Sequence, residues 1–144
     1  MRAMVLKQIG SLTQNPEPLE LENRPVPEPE KAEVLVRVST CGVCHTELDE
    51  IEGRTAPPEL PVILGHQVVG RVEELGPGTQ RLRTGDRVGI AWIFSSCGRC
   101  KYCRTGNENL CPEFMATGRD ADGGYAEYMR VPEAFAHPIP EELA

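Results

Sequence analysis

Cys97, Cys100, Cys103 and Cys111 stand in the pattern C-x2-C-x2-C-x7-C, four thiols within fifteen residues. Gaps this short let successive side chains turn inward on one point about 2.3 Å from each sulfur, the distance and tetrahedral arrangement that zinc takes. Four thiolates fill a tetrahedral sphere and leave no position for water or substrate, so zinc held here is structural and the chemistry belongs to other residues. A second constellation, Cys44-His45-Thr46 followed by Gly65-His66, offers a thiolate, an imidazole and a hydroxyl. A catalytic zinc usually takes three protein ligands and keeps its fourth position open, and Cys44 and His66 are two ligands of the right kinds. Alone this pair is a weak signal. Cysteine is often buried as a small apolar residue, and a single histidine is more often a packed or surface side chain than a ligand.

Two other readings of the four-cysteine run stay open beside zinc. Its opening C-x2-C-x2-C and its Cys111-Pro112 share the outline of a bacterial iron–sulfur run, but there the last gap is three residues and here it is seven. A pair of disulfides would need an oxidising compartment. The opening Met-Arg-Ala-Met-Val-Leu-Lys has neither an apolar signal core nor a cleavage-type site, so export is not expected and a cytoplasmic location is. Arg99, Lys101 and Arg104 stand among the cysteines, where cations would offset the charge of a four-thiolate zinc site.

A chain of 144 residues is about one domain long and can bury a core. Its net charge of -7 leaves no footprint for nucleic acid or an anionic membrane surface. No run approaches the ~20 apolar residues of a membrane-crossing helix. Neither nucleic acid nor membrane is therefore expected as a partner. With 13 prolines and 14 glycines against three Phe, three Tyr and one Trp, the composition points to short strands joined by turns.

Those strands have to position the metal ligands. Met1 to Gln8 reads as a strand, and Pro16, Pro18, Pro25, Pro27 and Pro29 then punctuate a stretch that holds one short strand, Leu19 to Glu22. Val34, Val36 and Val38 alternate with Leu35 and Arg37 in a strand ending at Ser39-Thr40. The apolar run Pro61 to Leu64 leads through Gly65-His66 into a long strand, Val68 to Leu75, closed by Gly76-Pro77-Gly78. Further strands are expected from Gly85 to Ile90 and from Gly123 to Val131, and only Cys44 to Glu52 reads as a helix of any length. The expectation is an all-β barrel or sandwich with a cysteine loop between two strands.

Taken in order, these segments resemble the successive signatures of zinc-dependent alcohol dehydrogenases of the medium-chain dehydrogenase/reductase family. They are Cys41-Gly42-Val43-Cys44-His45-Thr46-Glu47-Leu48, Gly65-His66-Gln67-Val68-Val69-Gly70, Gly85-Asp86-Arg87-Val88, the four-cysteine lobe, and Gly123-Gly124-Tyr125-Ala126-Glu127-Tyr128. The resemblance covers essentially the whole chain and implies a mainly β, GroES-like barrel with short helices, one domain over 1–144 with a zinc lobe at 95–113. It implies that Cys44 and His66 bind a catalytic zinc, with a third ligand beyond this chain, and that Cys97, Cys100, Cys103 and Cys111 bind a structural one. Thr46 would pass a proton to or from the alcohol oxygen, His45 would contact the cofactor pyrophosphate, and Trp92 would be either a pocket wall or a plain core aromatic. The full-length enzyme would exchange an alcohol with its aldehyde or ketone using NAD or NADP, as a homo-oligomer.

Three positions, Gln67, Glu47 and Asp49, depart from the family pattern. Gln67 stands where Glu is usual and removes an anion from beside the catalytic metal. Glu47 replaces an Asp that orients the zinc-binding histidine, so its longer side chain has to reposition. Asp49 replaces a histidine that ends the proton relay, where a carboxylate can also accept a proton. Cys41 falls at a non-ligand position and reads as a small buried residue. No G-x-G-x-x-G fingerprint opens a helix, so no Rossmann unit is visible in this chain. The sequence is thus expected to be a catalytic-domain fragment that does not turn over alcohol alone; the alternative is a zinc-stabilised barrel serving as a structural or partner-binding module.

Overall fold

The computed structural model describes residues 1–140, 142 and 143; Glu141 and Ala144, and with them the end of the expected 1–144 domain, lie outside the described residues. Among the described residues the strands are β1 (Arg2–Leu6), β2 (Leu19–Asn23), β3 (Glu33–Gly42), β4 (Val62–Ile63), β5 (Gln67–Leu75), β6 (Arg87–Ile90), β7 (Ile93–Ser95), β8 (Met115–Ala116), β9 (Tyr128–Pro132) and β10 (Ala136–Pro138). A single α-helix, α1 (His45–Ile51), joins them, with three one-turn 3-10 segments. The protein is mainly β, as the sequence predicts.

Valine alternation builds the principal sheet, whose strand order is β10-β6-β5-β3-β9 with every pair antiparallel. Val68 and Val72 on β5, Val88 and Ile90 on β6, and Met129 and Val131 on β9 turn to one side, as the two-residue strand period requires. There they meet Val34 and Val36 of β3, with Leu82, Phe94 and Ala136, in one buried cluster. Register shifts at Leu35/Val36 and Val38/Thr40 mark bulges between β3 and β5. Bulges bend a strand and increase its twist, which curls this sheet around its core. A second sheet, β2-β1-β4, adds two smaller clusters, one of Leu6, Ile51, Val62 and Leu64 and one of Ala3, Val5 and Ile63. The small β7-β8 sheet carries the cysteine loop. No helix among the described residues is long and apolar enough to cross a membrane.

The expected strand from Gly123 begins late, at Tyr128. Residues 123–127 instead run beside β4 and β1: Gly123 and Gly124 donate N–H bonds to the carbonyls of Ile63 and Gly65, Tyr125 to that of Leu64, and Met4 to that of Tyr125. Backbone approaches backbone so closely that a Cβ at Gly123 would lie 2.2 Å from the Gly65 carbonyl oxygen. Only glycine fits such a contact. The strand expected from Gly85 likewise starts at Arg87, because Gly85, at φ +94, turns the chain and donates to the Val72 carbonyl. The short strands β4, β7, β8 and β10 have two or three residues each, too few for a period to show in the sequence.

Candidate metal centres

The loop between β7 and β8 brings the four expected cysteines together. Cys97, Cys100, Cys103 and Cys111 place their sulfurs all within 4.8 Å of one another. Two of the separations are 3.9 Å, Cys97 to Cys103, and 3.5 Å, Cys100 to Cys103. Tetrahedral zinc with bonds of about 2.3 Å spaces its sulfurs about 3.8 Å apart, so the set fits that ion. All six cysteines are free thiols, which removes the disulfide reading. Backbone N–H groups point at the sulfurs, from Cys100 to Cys97 and from Cys97 and Glu113 to Cys111. The N–H groups of Arg99 and Cys100 draw the Cys97 thiol down to about 6. Cys111 also gains from the Cys97 N–H, yet burial and the neighbouring Cys97 and Cys103 thiols push it up to about 11. Thiols this close cannot all ionise unless a cation neutralises them.

The second pair is assembled by helix α1. Cys44 is its N-cap, with extended backbone at φ -118 and ψ 162. Three residues on, Glu47 folds back so that one carboxylate oxygen accepts the Cys44 N–H at 2.8 Å. The other oxygen lies 2.8 Å from His66 Nδ1, a close contact that falls short of hydrogen-bond geometry, and neither atom has a hydrogen-bond partner. His66 sits between β4 and β5, and its side chain and that of Glu47 are 8% and 2% exposed. A carboxylate beside Nδ1 favours the tautomer that carries its proton there, which turns Nε2 outward as the nitrogen available to a metal. That is the tautomer a metal ligand needs, and a carboxylate behind a ligating imidazole is its usual support. The extra methylene of Glu47 thus lets one carboxylate serve both the helix cap and the ring.

Around this pair the other expected residues fall at different distances. Thr46 Oγ1 is 3.6 Å from Cys44 Sγ, at the same helix turn. His45 is exposed, with Nδ1 3.5 Å from Asp49. Asp49 also binds Arg54, whose N–H bond is the main cause of a carboxyl held below the usual range. That makes Asp49 a weaker proton acceptor than a free carboxylate. Gln67 is exposed and lies over Gly42, where a Cβ would meet its Oε1 at 2.5 Å; it makes no side-chain hydrogen bond among the described residues. Trp92 lies between β6 and β7, not within a strand. It stands edge to face against His66, centroids 4.9 Å apart at 78°, with Phe114 6.4 Å away and the Arg119 guanidinium carbon 5.8 Å from its ring centre. Cys41 is half-buried, and burial pushes its thiol up, consistent with a packed residue. Among the described residues, the only group of three or more His, Cys, Asp or Glu side chains gathered closely enough for a metal is the four-cysteine set.

Two residues near this site have no role assigned from the sequence. Glu50 is fully buried with neither carboxylate oxygen partnered, and burial, followed by the Glu47 charge, pushes it up to about 8. The Tyr125 hydroxyl is also buried without a partner, and burial raises its pKa. A faint signal for Glu50 was available: it lies three residues beyond Glu47 on α1, on one helix face with it.

The described residues thus form a curled, mainly β domain with four clustered thiols and a Cys–His pair beside a buried carboxylate. Residues 30–141 match the alcohol dehydrogenase GroES-like domain, and the chain belongs to that family. An alcohol dehydrogenase of Geobacillus stearothermophilus is 43% identical over 145 aligned residues, which take in 100% of this chain and 41% of the relative. A solved NAD-dependent alcohol dehydrogenase superposes with a TM-score of 0.90 at 39% identity, over 100% of this chain and 41% of that one. A cobalt- and zinc-bound thermostable alcohol dehydrogenase from Pyrobaculum aerophilum gives 0.89 at 33% identity, over 99% and 42%. The chain therefore spans about two-fifths of the length of the relatives it matches.

Proposed function

We propose that this chain is the catalytic-domain portion of an NAD(P)-dependent zinc alcohol dehydrogenase acting on small alcohols and the corresponding aldehydes or ketones. The observation that carries the reading is the Glu47 bridge, which presents His66 to a metal and fixes the Cys44 turn with the same side chain. Cys44 and His66 would hold a catalytic zinc with a third ligand from the length of the relatives that this chain does not span. The zinc, when bound, supplies Lewis-acid polarisation of the alcohol oxygen.

The residues of this chain supply the rest of the site. Thr46, whose hydroxyl lies beside Cys44, is the group placed to take the alcohol proton. Asp49, neutralised by Arg54, would receive a proton only through a weak acceptor, so passage to solvent by way of His45 or water is the more favourable route. Trp92, edge to face against His66, would form an apolar wall of the site. Cys97, Cys100, Cys103 and Cys111 would bind the structural zinc, which the sulfur spacing and the metal-bound relative both support. NAD or NADP would be held mainly by the part of the relatives outside this chain, with His45 near the pyrophosphate.

The reading is tested by joining this chain to the remaining length of an alcohol dehydrogenase relative. The chimera should reduce a nicotinamide in the presence of alcohol, and Cys44→Ala or His66→Ala should abolish turnover while the four-cysteine zinc stays bound. A chimera that is folded, carries two zincs per chain and binds the nucleotide, yet oxidises no alcohol and reduces no aldehyde or ketone, would overturn the reading.

A further inference from the structure

Trp92 is the only tryptophan in the chain, and the turn that follows β8 takes hold of it twice. Thr117, fully buried, donates its N–H to the Trp92 carbonyl at 2.9 Å and its hydroxyl to the Ala91 carbonyl at 2.8 Å. Two residues on, the Arg119 guanidinium carbon lies 5.8 Å from the centre of the Trp92 ring. A cation within about 6 Å of an indole ring centre is attracted to the ring face. The same turn is lodged against the residue before His66: Gly118, at φ +79, comes so near that a Cβ there would lie 2.8 Å from the Gly65 nitrogen. Its position is therefore fixed relative to His66 as well as to Trp92.

Arg119 is itself anchored. Its Nη2 and Nε donate to the Asp120 carboxylate at 2.7 and 3.3 Å, and that carboxylate also accepts the Ala116 N–H at 2.7 Å. Pairing through two nitrogens fixes the plane of a guanidinium, which a lysine ammonium cannot reproduce. Thr117 holds only the backbone of Trp92, so the side-chain rotamer depends on the groups around the ring, among them His66, Phe114 and Arg119. Phe114 and Arg119 also line an open cleft of about 500 Å³ with Val62 and Met115. The ring thus adjoins both His66 and two walls of that cleft.

We propose that Arg119 is a positioning residue for the Cys44–His66 site: anchored on Asp120, it keeps the Trp92 ring edge to face with His66 and so sets the apolar wall that the carbon chain of an alcohol meets there. Losing the cation should lower the population of this rotamer, relative to its alternatives, by about two- to fivefold, the factor that corresponds to a cation–π contact at a partly exposed site. The substrate role rests on the reading of Cys44 and His66 as zinc ligands. The ring contact does not, so the two can fail separately.

Nuclear Overhauser contacts between the Trp92 indole and the His66 ring, measured on the whole chain without metal, report the ring pair directly. The wild type should show them. Arg119→Gln and Arg119→Met each remove the charge, so both should weaken these contacts and raise acrylamide quenching of the single tryptophan; if one does not fold, the other decides. Arg119→Lys keeps the charge without the fork and should fall between. In the chimera with the remaining length of a relative, Arg119→Gln should raise KM for alcohols with an apolar chain by up to about fivefold and change kcat little, because the ring walls the substrate without touching the reacting atoms. A wild type without the ring contacts, neutral variants that keep them at full strength, or Arg119→Lys no better than Arg119→Gln overturns the positioning role. A fall in kcat with KM unchanged overturns the substrate-wall role. If the ring contacts behave as described while the wild-type chimera turns over no alcohol, Arg119 still positions Trp92 and the dehydrogenase reading falls.

Discussion

Glu47 and His66 meet at 2.8 Å while the second Glu47 oxygen, also at 2.8 Å, accepts the N–H of Cys44. One buried side chain thus caps a helix and fixes a ring. Glu47→Ala should destabilise the chain by about 1–2 kcal/mol, through loss of the N–H bond that caps the helix and of the contact with His66. Glu47→Asp, shorter by a methylene, can reach only one of the two sides and should fall between. Urea unfolding checks both, and a Glu47→Ala midpoint equal to wild type would show that the bridge contributes nothing to folding.

Glu133 makes a parallel arrangement elsewhere in the fold. Its carboxylate, 7% exposed, accepts N–H bonds from Gln80, Arg81 and Leu82 and so closes the turn before β6. Burial alone would raise its pKa, but these three donors outweigh burial and hold it below the usual range. A carboxylate depressed in the folded state contributes stability that is present at neutral pH and is lost as pH falls through its folded value. All three N–H groups point at Oε1, so Glu133→Gln can keep these bonds but loses the charge that strengthens them; it should lose about 1 kcal/mol at pH 7 and show a shallower acid limb of stability than the wild type. Parallel pH profiles for the two proteins would refute the assignment.

The sequence makes some of this legible and leaves some of it hidden, for reasons that differ by residue. The valines of β3 and β5 declare their strands because a half-buried strand needs a two-residue period. Helix α1 is bounded as expected, with Cys44 and Glu52 as its caps, since Glu47 three residues after the N-cap is a start signal in itself. The four-cysteine spacing announces its centre because metal geometry tolerates few spacings. Residues 123–127 mislead, because their glycines serve a close backbone approach to Gly65 and not a strand. Glu50 is hidden for another reason: within α1 it reads as one more charged helix residue, and only its complete burial in the fold shows that it faces inward.

Glu50 also predicts how stability varies from mildly acidic to slightly alkaline pH. Its folded pKa, about 8, stands above the usual 4.5, so between those values the folded state holds a proton that the unfolded state has released. Stability must therefore fall as pH rises across that interval, by at most about 1.4 kcal/mol per pH unit for one proton. Glu50→Gln has no proton to lose, so its profile should be flat there and its melting temperature at pH 8 should exceed that of the wild type. Thermal melts across the interval decide it; a wild-type profile that rises with pH, or a variant that keeps the same slope, assigns the dependence to another group.

The four-cysteine loop should depend on zinc more than the rest of the domain does. Its ligands leave from β7 and return to β8, and apart from Phe94 of β7 the principal core draws on none of the residues between Ile93 and Ala116. Removing a closed zinc site takes away the folding energy of the loop that surrounds it. Cys103→Ser, or treatment of the chain with a strong chelator, should therefore lower zinc content by about one ion per chain and raise hydrogen exchange across residues 96–114. Protection of Val34, Val72 and Val131, which line the core of the five-stranded sheet, should change little by comparison. Hydrogen exchange followed by mass spectrometry reads both regions in one sample. Loss of protection spreading evenly through β3, β5 and β9 would mean that the loop and the sheet fold as one unit, and an unchanged zinc content in Cys103→Ser would remove that thiol from the centre.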